Sequence, residues 1–102
     1  MPFASPQTQA VLSSLRTLLP GLRRDFPLHG MALFGSTARG EAGPQSDVDI
    51  LVDVDGSIGV EFVTLAERLE AALGRKVDLV SRRALKPALK QIIEQEAIKV
   101  EA

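Results

Sequence analysis

Gly35-Ser36-Thr37-Ala38-Arg39-Gly40, a loop through Gly43, Pro44 and Ser46, and then Asp47-Val48-Asp49 form the stretch on which the reading of this chain turns. The apolar run Met31-Ala32-Leu33-Phe34 leads into it, and Ile50-Leu51-Val52 leads out. The pattern is strand, glycine turn, polar loop, and a second strand that opens with two carboxylates. In a strand, residues two apart point to the same face, so Asp47 and Asp49 are expected side by side. Adjacent like charges repel and raise each other's pKa, which makes the pair a poor choice for a purely structural site. A divalent cation reverses that penalty. The chemistry is expected here.

Working outward, Leu28 to Phe34 reads as a buried strand that ends at Gly35. Asp47 to Val54 reads as the next strand, closed by Asp55-Gly56-Ser57, with a short helical turn over Ala38 to Ala42 between the two. Upstream, Ser5-Pro6 has the form of a helix start, Ser as N-cap and Pro at the first helical position. Val11, Leu12, Leu15, Leu18, Leu19 and Leu22 follow at three- and four-residue spacing. Pro20-Gly21 is expected to end or kink that helix, with a further turn over Leu22 to Phe26. Downstream, Gly59 to Leu73 is helical by pattern and stopped by Gly74. Lys76 to Val80 is a third strand, and a helix from about Ala84 to Ala97 carries Pro87 in its first turn. Ile98-Lys99-Val100 suits a last edge strand. The expected fold is a small α/β (α+β) domain, a mixed sheet of three to four strands with helices packed against it.

Composition narrows the function. A chain of 102 residues supports one domain at most. It is 45% hydrophobic and 25% charged, ordinary for a globular protein. No apolar run approaches the roughly 20 residues of a membrane span, and Met1-Pro2-Phe3-Ala4-Ser5 lacks a charged leader start. With no cysteine there is no disulfide framework and no thiolate metal site. These features suit the cytoplasm. A net charge of −1 gives no global argument for nucleic-acid binding. Four Phe with no Trp or Tyr make a weak stacking platform for single strands.

Asp78 is the odd residue of the third strand. It lies between Val77 and Leu79 and points away from the face those two share. If that strand lies beside the second, Asp78 joins Asp47 and Asp49 as a third carboxylate. Three convergent carboxylates suit Mg²⁺, a hard cation that takes oxygen ligands and leaves room for phosphates. Two such ions about 4 Å apart stabilise both attacking and leaving oxygens of a phosphoryl displacement. The Gly35-Ser36 turn is suited to cradle an anion with its N–H groups and hydroxyl, and Arg39 to add a charge-assisted contact to a triphosphate oxygen. Taken singly, Gly-Ser is an ordinary turn and Asp-x-Asp a solvated strand end; the joint pattern is far more specific.

Gly35-Ser36, ten residues, Asp47-Val48-Asp49 and a later strand aspartate, Asp78, resemble the nucleotidyltransferase signature of the DNA polymerase beta-like superfamily. The whole chain is similar to the minimal nucleotidyltransferases (MNT), including the MntA-type antitoxins of HEPN–MNT toxin–antitoxin pairs. That similarity extends past Asp78 through Leu85, Pro87, Leu89, Ile92, Ile93, Glu96 and Ala97. It implies a single nucleotidyltransferase-like domain over residues 1–102. It also implies Mg²⁺-dependent transfer of a nucleoside monophosphate from a nucleoside triphosphate, pyrophosphate leaving. For the antitoxin members it implies transfer of AMP from ATP to a tyrosine of a cognate HEPN toxin. Carried over by position, Asp47, Asp49 and Asp78 bind the metals, and Asp78 also helps to activate the attacking hydroxyl. Gly35 and Ser36 hold the triphosphate. No signature position is missing. No further domain to hold an acceptor is expected, so the acceptor must come from a partner or a second copy. Self-modification on tyrosine is excluded, since the chain has none.

Two other readings belong to different classes. One is an antitoxin that neutralises a toxin by binding alone. The other is a transferase for a small molecule or RNA end that works with a separate substrate-binding subunit. Weaker signals read as structural. His29, the only histidine, is more often structural than a base. Asp53 and Asp55 read as a solvated strand end and turn. Arg82, Arg83, Lys86 and Lys90 read as a solvated helix face, with 82, 86 and 90 stacked at four-residue spacing; the sharper reading of that group is a patch for a partner or its RNA.

Overall fold

A computed structural model describes residues 5–43 and 45–101. Pro44, in the loop before Asp47, and Met1–Ala4, read above for a leader, lie outside them. The chain runs α1 (Pro6–Asp25), β1 (Leu28–Phe34), α2 (Gly35–Arg39), β2 (Val48–Val54), α3 (Glu61–Leu73), β3 (Val77–Ser81), α4 (Pro87–Glu96) and β4 (Ile98–Lys99). Short 3₁₀ turns at Gly56–Ile58 and Arg82–Ala84 precede α3 and α4. The four strands form one mixed sheet in the order β3-β2-β1-β4. That is the α/β class expected, down to the edge strand.

The antiparallel β1–β2 pair sets the register. Met31 lies opposite Val52, Leu33 opposite Ile50 and Phe34 opposite Asp49. A register shift between Leu28 and Gly30 explains why Leu28 and Met31, three apart, are both buried. β2 and β3 are parallel, joined by the α3 crossover. Along β2 the even-numbered Val48, Ile50, Val52 and Val54 are buried in one core with Leu15, Leu19 and Leu22 of α1 and Leu65 and Leu69 of α3. Asp49, Leu51 and Asp53 therefore face the other side. The strand alternation thus separates core from chemistry.

α1 is capped as expected, Ser5 Oγ accepting from the Thr8 N–H at 3.1 Å. The helix does not end at Pro20-Gly21: it runs 20 residues, through both of them, to Asp25. Leu15, Leu19, Leu22 and Phe26 are all buried, and that apolar ridge continues on both sides of Pro20. Burial at about 25 cal/mol per Å² across four large side chains outweighs the roughly 3 kcal/mol a mid-helix proline costs. The predicted start of α4 at Ala84 is displaced to Pro87, which takes the first helical position, and Lys86 before it is extended at φ −67°, ψ 149°. The residue before a proline is disfavoured in the helical region. Among the described residues, no helix is long and apolar enough to cross a membrane.

Candidate active site

β1 ends at Phe34, and the chain turns at once into α2, whose first residue is Gly35 at φ +72°. The helical turn expected over Ala38 to Ala42 thus begins three residues earlier, on the glycine itself. An L-residue is strained at this φ, but sterics are more exacting. A Cβ on Gly35 would stand 2.9 Å from Asp49 Cγ and closer still to Oδ2. The glycine makes room for the carboxylate of Asp49, whose partner across the β1–β2 pair is the preceding residue, Phe34. α2 closes at Gly40, φ +74°, and is braced from behind by α1, the buried Thr8 hydroxyl donating to the Thr37 carbonyl.

β2 begins at Val48, one residue later than expected, so Asp47 stands just before the strand and is exposed. Asp49 is half-buried. The parallel pairing places Asp49 in register with Asp78, meeting the condition on which Asp78 entered the site. Neighbouring strands lie about 4.8 Å apart. Burial pushes the Asp49 carboxyl above its ordinary value, Asp78 and Asp47 push it further by charge repulsion, and Arg39 partly opposes them. Asp47, Asp78 and Arg39 therefore all act electrostatically on Asp49. Among the described residues, however, no three acidic or imidazole side chains stand in an arrangement that closes around one ion. The donor set, three carboxylates whose repulsion at Asp49 a cation would relieve, is chemically suited to Mg²⁺. Asp47, Asp49 and Asp78 are the residues that would hold it, with side-chain adjustment.

Arg39 is where sequence reasoning and structure differ most. Its Nε donates to Glu41 Oε1 at 2.6 Å and its Nη1 to Glu96 Oε2 at 3.0 Å. Those hydrogen bonds, Glu41 first and Glu96 second, hold its pKa above its already high value. The other Glu96 oxygen, Oε1, accepts the Gly35 N–H at 3.0 Å, the amide expected to face a phosphate. The Ser36 hydroxyl carries no hydrogen bond among the described residues and stays available to a ligand.

Two residues went unassigned in the sequence. Arg75 holds the loop ahead of Asp47, its Nη2 donating to the carbonyls of Gly43 at 3.1 Å and Ser46 at 2.6 Å; nothing in its local pattern marks it. Glu96 did carry a signal, because an acidic side chain in the last turn of a helix opposes the helix dipole. His29 is exposed, with its carbonyl accepting from Arg23. The Asp55 carboxylate accepts the Ser57 N–H, and its pKa is lowered by that backbone contact. The basic group does not form the expected four-residue stack: Arg82 and Arg83 lie in the 3₁₀ turn and Lys86 precedes the helix. Arg82 instead pairs with Glu94 at 2.6 Å.

Residues 15–100 match the profile of the Nucleotidyltransferase domain family. The chain is 42% identical over 80 residues to the protein adenylyltransferase MntA of Thermococcus cleftensis, covering 78% of this chain and 81% of that one. Among solved structures, it is similar to a toxin–antitoxin crystal structure with AMP-PNP at a TM-score of 0.70 and 31% identity, covering 83% of this chain and 71% of that one. It is also similar to a structure of tri-AMPylated Shewanella oneidensis HEPN toxin in complex with MNT antitoxin, at a TM-score of 0.66 and 27% identity, covering 91% of this chain and 71% of that one.

Proposed function

This chain belongs to the nucleotidyltransferase domain family, and on that premise we propose that it transfers AMP from ATP to an acceptor hydroxyl, a tyrosine of a cognate HEPN-type toxin, and so acts as an antitoxin. The observation that carries this reading is the in-register pair Asp49 and Asp78 on parallel strands, with Asp47 beside them and the Gly35 turn across. Mg²⁺, as two ions held by Asp47, Asp49 and Asp78, would offset the charge of the triphosphate and of the departing pyrophosphate. The Ser36 hydroxyl and the Arg39 guanidinium orient the triphosphate. The acceptor oxygen attacks the α-phosphorus as the bond to the bridging oxygen breaks, and pyrophosphate leaves with that electron pair. The acceptor proton passes to the Asp78 carboxylate, which is exposed and therefore reachable. A cytoplasmic setting, where ATP and Mg²⁺ are plentiful, belongs to the same reading.

The relatives' names support the reading, one being a protein adenylyltransferase and one an antitoxin bound to an AMPylated toxin. The chain's own lack of tyrosine agrees with an acceptor on another protein. The test is incubation of the purified toxin partner with α-labelled ATP and Mg²⁺. Label is expected on the partner with the wild-type chain and not with Asp47→Ala. Absence of label, together with full neutralisation of the toxin by Asp47→Ala, would overturn the enzymatic reading in favour of neutralisation by binding.

A further inference from the structure

Glu96 ends α4, 61 residues along the chain from Gly35 and 57 from Arg39, yet its carboxylate bridges both. At that place it faces the negative end of the helix dipole, an unfavourable position for a carboxylate. The two charge-assisted hydrogen bonds offset this. A guanidinium has five N–H donors in a rigid fork. Glu41 takes Nε and Glu96 takes Nη1, while the Nη2 end has no partner among the described residues. Two carboxylates thus hold Arg39 from two sides, and Nη2, between them, is left without a partner among the described residues. Glu96 also holds the first amide of α2, a helix with no side-chain cap of its own.

We propose that Glu96 is a positioning residue for the nucleotide: it fixes the Arg39 guanidinium and the backbone of the Gly35 turn so that Arg39 Nη2 and Ser36 face the triphosphate. This rests on the assignment of α2 to the triphosphate made above. A free arginine loses rotamer entropy when it binds a ligand, and a guanidinium already held loses less of it. Gly35 accordingly contributes space for Asp49 and an amide for Glu96, rather than an amide for phosphate. The opposite reading, Glu96 as an internal anion that competes with the triphosphate, predicts the opposite sign. Glu96 does take the Gly35 N–H and Arg39 Nη1, but Arg39 Nη2 and the Ser36 hydroxyl stay open to the triphosphate.

The experiment is calorimetric titration of ATP with Mg²⁺ into the wild type, Glu96→Ala, Glu96→Gln, Arg39→Ala and the Arg39→Ala/Glu96→Ala double variant, with kcat measured on the acceptor. Glu96→Ala is expected to weaken ATP binding about tenfold, equivalent to about 1.4 kcal/mol, with kcat changed less than about twofold. In the Arg39→Ala background the same change should shift Kd by less than about twofold, because coupled residues are non-additive. Glu96→Gln keeps an oxygen for the Gly35 N–H and loses the charge that holds Arg39, so it should stay folded and still weaken binding. In the wild type the Gly35 amide proton should resonate downfield, and Glu96→Ala should remove that shift. Unchanged or tighter ATP binding by Glu96→Ala and Glu96→Gln, or a full tenfold effect without Arg39, overturns the positioning role. A wild type that binds no ATP overturns the triphosphate assignment, and this inference with it. A wild type that loses ATP on Arg39→Ala but not on either Glu96 change overturns the role of Glu96 alone.

Discussion

Gly35 and Asp49 form a pair whose logic is steric first and electrostatic second. The positive φ alone makes Gly35→Ala cost about 1–2 kcal/mol, and the encounter with the Asp49 carboxyl adds to it. In urea denaturation Gly35→Ala is expected to lose roughly 2–4 kcal/mol in the wild type. In an Asp49→Ala background, where Cγ and Oδ2 are gone, the loss should fall toward the backbone cost. Equal losses in both backgrounds would remove the steric argument. Asp49 makes a second, pH-dependent statement. Its folded pKa lies above its ordinary value, so the native state holds this proton more tightly than the unfolded chain. Its contribution to stability is therefore highest at low pH, falls as pH rises from the ordinary value of 3.8 to the raised one, and stays unfavourable above. Asp49→Asn should accordingly raise the Tm at pH 7 by a few degrees, the effect being screened at this half-exposed site. The gain should close as pH falls below about 3.8. The repulsion of Asp47 and Asp49 was legible from their spacing alone. The demand that Asp49 places on Gly35 was not, because it follows from a strand register rather than from either residue's neighbours.

Elements were legible where an apolar period runs uninterrupted, and their ends were not where proline intervenes. β1 falls at Leu28–Phe34 as read, and α3 stops at Gly74 with φ +66°, as its position suggested. The two helix prolines behave oppositely, and the difference lies in what surrounds them. Upstream of Pro87 the side chains of Arg82, Arg83 and Ala84 are exposed, so nothing resists the extended conformation that a proline imposes on the residue before it. Around Pro20, Leu15, Leu19 and Leu22 bury almost completely, and continuing the helix through Pro20 keeps Leu22 on the face that Leu15 and Leu19 share. A local rule therefore sets α4 and a tertiary one sets α1. Pro20 is itself exposed, so Pro20→Ala restores a backbone donor and removes ring strain without touching the core. It should stabilise the protein by about 1–2 kcal/mol, less than the full 3 kcal/mol because the alanine chain is freer when unfolded. Thermal melts read this directly. A destabilised Pro20→Ala would mean that the proline sets a bend the packing needs.

At the scale of the molecule, charge decides what the site can take. The chain is nearly neutral at −1, yet Asp47, Asp49, Asp78, Glu41 and Glu96 gather about α2 and the adjoining strand ends with Arg39 among them. On the proposed function, a triphosphate brought alone to such a surface would meet repulsion, and brought with Mg²⁺ it would meet ligands. Nucleotide and cation are therefore expected to bind together. A ligand that binds only the folded state adds RT ln(1 + [L]/Kd) to stability, about 2.7 kcal/mol at a hundredfold excess over Kd. For a domain of about this size that raises the Tm on the order of ten degrees. ATP with Mg²⁺ should produce that rise, and ATP with a chelator should produce little of it. The double change Asp47→Asn, Asp49→Asn should abolish the rise while lifting the unliganded Tm, since it removes the carboxylate repulsion. Those two effects run in opposite directions, so general damage to the fold cannot imitate them. A double variant that keeps the full ATP–Mg²⁺ shift would move the nucleotide site away from β2 altogether.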